Sequence, residues 1–177
     1  MTADDRQQRI FFALWPDAAT RARLADIAAQ IPLRRPARRV ADYNLHLTLH
    51  FIGTVDASVV DCMRRQARAV ESAAFEIVID DSGRFPGAGV GWLGCSEVVD
   101  GLGRLHRRLG RELMRCDYLP EKRAYRPHVT VARKLGGALR PIAFAAVRWK
   151  VDNFVLLESR PAQRGVRYHV VETYPLA

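Results

Sequence analysis

Two stretches of the chain place an imidazole and a hydroxyl at the same spacing: His46-Leu47-Thr48-Leu49 and His128-Val129-Thr130-Val131. In a β-strand, residues i and i+2 share a face. His46 therefore shares a face with Thr48, and His128 with Thr130. Leu45, Leu47 and Leu49 fill the other face of the first strand, and Val129 and Val131 that of the second. Each strand packs one side on core and presents a polar side to water or a cleft. Two such sides can share one cleft.

Two imidazoles across a cleft suit acid–base displacement at phosphorus. Their ordinary pKa lies near neutrality, so one can be charged and the other neutral in the same enzyme. One then takes a proton from water while the other protonates the departing oxygen. The hydroxyls of Thr48 and Thr130 would hydrogen-bond the non-bridging phosphate oxygens, where charge is spread in the transition state. No metal or cofactor is expected: His-Glu-x-x-His spacing and clustered carboxylates are missing from the sequence.

The elements that must position these residues follow from periodicity. RIFFALWP, residues 9–16, reads as a buried strand. Asp17 then reads as the N-cap of a helix with Leu24, Ile27 and Ile31 inward. Residues 32–44 form a basic, proline-punctuated loop before the first tetrad. A helix is expected from about Asp56 to Ser72, with Val59, Val60, Met63 and Val70 on one side. FEIVIDDSGRFP and GVGWLGC read as strands. A second amphipathic helix, from about Val98 to Cys116, carries Leu102, Leu105, Leu109 and Leu113 inward, with Arg104, Arg107, Arg108 and Arg111 outward. After the second tetrad, AVRWKVDNFVLLES and GVRYHVVETYPL read as two strands with a turn around Arg160 to Gly165. A helix precedes each tetrad, and the histidines are 82 positions apart, close to half the chain. The expected architecture is α+β: one bilobal domain over residues 1–177, with two pseudo-symmetric halves, antiparallel sheets flanking a central cleft and helices outside. The first eight residues read as unstructured.

Composition narrows the class. The 177 residues are 49% hydrophobic and 27% charged, which is ordinary globular usage. The apolar runs are too short to span a bilayer, and no secretory signal is legible. Cys62, Cys95 and Cys116 have neither metal spacing nor close pairing, and read as three reduced thiols in a cytoplasmic protein. The net charge of +9, mostly arginine, favours polyanions such as RNA, although an arginine-rich surface also arises without such a partner.

The tetrads HLTL and HVTV resemble the His-x-Thr-x signature of the two-histidine (2H) phosphoesterase superfamily. With RIFFALWP, HLTLHFIG, YRPHVTVAR and the terminal LLES and YHVVETYPL, the chain is similar to the RNA 2′,3′-cyclic phosphodiesterase branch, also called 2′-5′ RNA ligase, from about Arg9 to Leu176. The resemblance implies a bilobal fold with one tetrad per lobe. It implies hydrolysis of 2′,3′-cyclic phosphate RNA ends to 2′-phosphates, and in some members ATP-independent 2′-5′ joining of tRNA halves. It makes His46 the proton donor and His128 the proton acceptor. The motifs alone are near-symmetric and do not separate acid from base. It also suggests a phosphate contact for Arg133. Strict alternation puts Arg133 opposite His128, so a bulge or strand end is needed. Substrate binding is expected of Thr48, Thr130 and Arg133, with RNA as partner, no membrane, and a monomer acting alone. Action on small cyclic nucleotides, or RNA binding without catalysis, are the competing readings.

Other residues are ambiguous in sequence. His50 has the parity of His46 and Thr48 but reads better as a solvated basic position. Arg34, Arg35, Arg38 and Arg39 either track an RNA backbone or are simply solvated. Among Phe11, Phe12, Tyr43 and Tyr125, the tyrosines are the better candidates for base stacking, since the phenylalanines sit within an apolar run. His106 and His169 have no partner motif and read as structural or exposed.

Overall fold

The computed structural model describes residues 7–136, 142–163 and 165–177. The apolar run at the start forms β1 (Gln8–Leu14). Strand pairing thus reaches back to Gln8, the last residue of the stretch expected to be unstructured; residues 1–6 of it lie outside the described residues. Asp17 caps α1 (Ala18–Ala29) by accepting the Thr20 amide at 2.7 Å, a bond that also lowers the pKa of its carboxyl. Leu24, Ile27 and Ile31 are buried as expected.

The remaining elements are β2 (Arg38–Arg39), a 3-10 turn (Asp42–Asn44), β3 (Leu47–Val55), α2 (Ala57–Arg68), β4 (Phe75–Ile79), β5 (Asp81–Phe85), β6 (Val90–Gly94), α3 (Asp100–Leu113), β7 (His128–Arg133), β8 (Val147–Val151), β9 (Asn153–Pro161) and β10 (Val166–Pro175). The order β10-β9-β1-β3-β7-β6-β5 makes one sheet, with β2 also on β7; β4 and β8 form a second, smaller sheet. All pairings among the described residues are antiparallel. The α+β architecture with antiparallel sheets is therefore as expected. Its internal echo is a strand–helix–strand unit used twice, β1–α1–β3 and β6–α3–β7.

The halves meet edge to edge. Leu47 of β3 pairs with Val129 of β7, both fully buried, and this is the one β3–β7 bridge among the described residues. β4 and β8 also pair across the halves, from Phe75↔Val151 to Ile79↔Val147. α1 packs against β8 and α3 against β4, so each helix rests on a strand from the other half. One cluster of buried side chains runs through both: Phe12 and Leu47 from the first half, Val129 and Leu105 from the second. Leu102, Leu105, Leu109 and Leu113 are all fully buried on the inner face of α3. On β1, Ile10, Phe12 and Leu14 join this cluster, while Phe11 and Ala13 face the other way, with Val155 and Leu157.

Several sequence expectations need correction. The basic loop contains a short strand, β2, and the 3-10 turn. FEIVIDDSGRFP is two strands, because the chain changes sheet at Asp80, whose carboxylate takes the Ser96 amide and hydroxyl at 2.8 and 2.7 Å. AVRWKVDNFVLLES likewise divides at Asp152, whose carbonyl accepts the Leu176 amide at 2.8 Å. Of the three cysteines expected to be reduced, Cys62 on α2 and Cys116 beyond α3 form a disulfide, and only Cys95 is free. The helix contact that brings the two thiols together spans 54 positions of sequence, which spacing alone does not reveal.

A crosslink closing so long a loop removes unfolded-state entropy worth about 4 kcal/mol. We expect Cys62→Ser, or reduction of the native protein, to lower Tm by roughly 10 °C. Calorimetry with and without dithiothreitol checks this, and an unchanged Tm would mean the bond contributes nothing.

Candidate active site

The Leu47↔Val129 bridge fixes the relation of the two tetrads. Carried one residue to either side, its register sets His46 opposite Thr130 and Thr48 opposite His128. All four side chains are half-buried, whereas Leu47 and Val129 are fully buried beneath them. The imidazoles are thus diagonal neighbours on one face, a relation that regular ladders span in about 7–8 Å. A charge on His128 lowers the proton affinity of His46.

Each tetrad ends in a β-bulge. On β3, Phe12 pairs with His50 and Ala13 with Thr48, leaving Leu49 as the extra residue. On β7, Trp92 pairs with Thr130 and Gly91 with Ala132, leaving Val131 extra. A bulge reverses the alternation that follows it. His50 accordingly turns away from the Thr48 face into the core and is 4% exposed, which corrects the expectation of a solvated position. Arg133 turns the opposite way: Val131 and Ala132 are both buried, and Arg133 emerges exposed on the side of His128 and Thr130. The condition that alternation set for Arg133 is met, and its charge lowers the proton affinity of both imidazoles.

Both rings are held the same way. The nitrogen Nδ1 of His46 donates to the Asn44 carbonyl at 2.7 Å, and Nδ1 of His128 donates to the Arg126 carbonyl at 2.7 Å. A carbonyl only accepts, so in the neutral rings the proton sits on Nδ1 and Nε2 is free to exchange one. The Thr48 hydroxyl lies 3.1 Å from Nε2 of His46. Asn44 is buried, and its side chain ties the loop to β10 by donating to the Val166 carbonyl at 2.7 Å and accepting the Tyr168 amide at 3.0 Å. Arg21 clamps the same loop by donating to the carbonyls of Asp42, Leu45 and Pro16, with its guanidinium 4.4 Å over the Trp15 ring.

Aromatic walls desolvate the imidazoles. Phe11 and Tyr168 lie 4.9 and 5.1 Å from His46, and Trp15 is stacked at 6.4 Å. Phe85 meets His128 edge-on at 4.9 Å. Burial pushes His46 down to about 4 against the Asn44 hydrogen bond, which opposes it; Arg133, His128 and Arg21 add to the depression. Burial also lowers His128, with Arg123 and Arg133 contributing.

The other candidates separate cleanly. Phe12 is core, whereas Phe11 lines the imidazole face. Tyr43 is exposed, with the Arg167 guanidinium 5.0 Å over its ring. Tyr125 is no stacking platform: its hydroxyl donates to the Thr48 carbonyl at 2.9 Å and its ring stacks on His106 at 3.8 Å. His106 stacks in turn on His50 at 4.2 Å, so both are structural. Asn44, Arg21, Trp15, Phe85 and Tyr168 were missed. The position two residues before each histidine was the one available signal, and it acts through a backbone carbonyl that residue type does not encode.

Comparison with known proteins agrees with this geometry. A family model described as the 2′-5′ RNA ligase superfamily matches residues 12–162. The RNA 2′,3′-cyclic phosphodiesterase of Escherichia coli K12 is 30% identical over 171 residues, 96% of this chain and 97% of that one. The crystal structure of E. coli LigT in apo form matches with a TM-score of 0.88 at 29% identity, covering 98% of this chain and 99% of that one. LigT complexed with 3′-AMP matches at 0.85 and 28%, covering 97% and 99%. On the family match, the near-full-length relative and the paired tetrads together, the chain belongs to the 2′-5′ RNA ligase superfamily of two-histidine phosphoesterases.

Proposed function

We propose that this protein hydrolyses the 2′,3′-cyclic phosphate at RNA ends to a 2′-phosphomonoester without a metal ion. The observation that supports this reading is the register about Leu47↔Val129, with Nδ1 of each imidazole tied to a backbone carbonyl so that Nε2 is the nitrogen turned toward the tetrad hydroxyls. His128 accepts a proton from water as the water oxygen attacks phosphorus. The bond from phosphorus to the 3′ oxygen breaks, and His46 gives that oxygen its proton. Thr48 and Thr130 hold non-bridging oxygens, and Arg133 offsets their charge. Run backwards with a 5′ hydroxyl in place of water, the same groups would join RNA ends. The E. coli relatives, named for the cyclic phosphodiester and crystallised with 3′-AMP, support this substrate class.

His46 holds its proton weakly in the free protein, whereas a donor must carry one when substrate is bound. The substrate phosphate supplies the missing counter-charge: its anion faces Arg133, whose charge adds to the burial that depresses His46. A weakly held proton is also readily given to a departing alkoxide.

We propose a monomer acting alone, the register completing the site within one chain. Among the described residues no helix is long and apolar enough to cross a membrane. We place the activity in the cytoplasm, the compartment of its RNA substrates, although the Cys62–Cys116 bond is of a kind rare there.

A cyclic-phosphate oligonucleotide should be turned over in excess EDTA, giving a 2′-phosphate end. His46→Ala and His128→Ala should each lose at least about a hundredfold in kcat/KM, and wild-type hydrolysis by either variant refutes the paired mechanism. Thr48→Ala and Thr130→Ala should lose about five- to tenfold, one hydrogen bond each. Burial lowers both imidazoles, so the bell of kcat/KM, which needs one ring neutral and the other charged, should be centred below the ordinary imidazole value and fall as pH rises above it. In an NMR titration, His46 should move upward from about 4 when inorganic phosphate binds. No upward movement would reverse the assignment of donor and acceptor.

A further inference from the structure

Beyond Arg133 the face becomes a basic groove. Arg38 pairs with Arg133 across β2 and β7, and Arg39 with Ala132. Paired residues project to the same side, so Arg38 shares the side of Arg133 and the tetrads. Arg39 points the other way, donating to the carbonyls of Ala29 and Ile31 at the end of α1. The structure thereby separates Arg38 from Arg39, which are equivalent in sequence. Arg35, Pro36, Ala37, Arg38 and Lys134 line a pocket of about 430 Å³, and no carboxylate is among them. Its Lys134 wall is fixed: the next residue, Leu135, donates its amide to Gly89 and accepts from Arg84, both at 2.9 Å. Allowing for the bulge, four strand steps separate His128 from Arg133, about 13 Å at 3.3 Å per residue, a distance spanned by a few nucleotides.

We infer that this groove is the track for the RNA strand on the 5′ side of the reacting nucleotide, with Arg35, Arg38 and Lys134 holding its backbone phosphates. The inference rests on the proposed hydrolysis and extends it from a reacting phosphate to a strand. Guanidinium forks suit phosphate oxygens, and such contacts position a strand without reading its bases. The groove plays no part at the reacting phosphorus, so a lone cyclic nucleotide gains nothing from it.

The test compares the triple variant Arg35→Gln/Arg38→Gln/Lys134→Gln with wild type on two substrates, a mononucleoside 2′,3′-cyclic phosphate and a ten-nucleotide RNA ending in one. The variant should lose at least tenfold in kcat/KM on the oligonucleotide and stay within twofold on the mononucleotide. Its salt dependence should flatten, the log–log slope falling by about 2 for three charges on a single strand. A charge-matched control, Arg104→Gln/Arg107→Gln/Arg111→Gln on the outer side of α3, should resemble wild type on both. Equal losses on both substrates, no loss on the oligonucleotide, or an equal loss in the control overturns the track. Binding of a ten-nucleotide RNA with an unreactive 3′-phosphate, followed by anisotropy, provides an arm independent of turnover. If wild type hydrolyses neither substrate, the hydrolytic reading fails, while a tenfold weaker binding by the groove variant still upholds the track and unchanged binding still sinks it.

Discussion

One backbone pairing, Leu47 with Val129, holds the site together. Each side chain lies fully in the core, so the polar residues flanking it are forced to the opposite face of the sheet. A slip of one residue in this register would exchange the faces, sending imidazoles into the core and Leu47 or Val129 to the surface. The penalty for burying polar groups without partners makes that slip costly. The arrangement that brings the histidines together is therefore enforced by the hydrophobic effect acting on their neighbours.

The bridge is short, and other contacts keep it from opening. β4 and β8 pair across the halves along five residues, and each of α1 and α3 packs on a strand of the other half. Tyr125, three residues before His128, donates its hydroxyl to the Thr48 carbonyl and links the tetrads a second time. Its ring continues through His106 to His50, which also receives the Tyr118 hydroxyl within 3.2 Å. The His50 ring fits against α3 because position 110 is glycine; a Cβ there would lie 2.9 Å from it. Desolvation lowers His50 and drives His106 to about 4, so burial disfavours charge on both rings of this stack.

Periodicity made most of this architecture legible. The amphipathic leucines of α3, the Asp17 cap and the alternation within both tetrads each depend on local sequence, and each is found where it was expected. What escaped has a common cause. The bulges at Leu49 and Val131 are set by how β3 and β7 fit against β1 and β6, and no residue type marks them. They decide that His50 is core and Arg133 is not, the reverse of what alternation says of each. The Cys62–Cys116 bond, the splitting of strands at Asp80 and Asp152, and the Asn44 clamp on β10 are likewise set by partners distant in sequence.

Near-identical motifs in similar surroundings would bind protons equally, and here the surroundings differ. Counting five residues on from each histidine reaches Phe51 in one half and Arg133 in the other. Phe51 is 46% exposed and lies under the Arg9 guanidinium, whereas Arg133 is an exposed cation paired across the strands with Arg38. His46 is enclosed by three aromatic rings and has Arg21 nearby; His128 has one ring, Phe85, edge-on. Displacement at phosphorus needs one proton taken and one given in the same step, so the site works with one imidazole neutral and the other charged. The two strand–helix–strand units supply the two imidazoles, and the side chains around them differ, so that in the free protein the ring assigned as donor is the more enclosed and needs the substrate's anion to carry its proton.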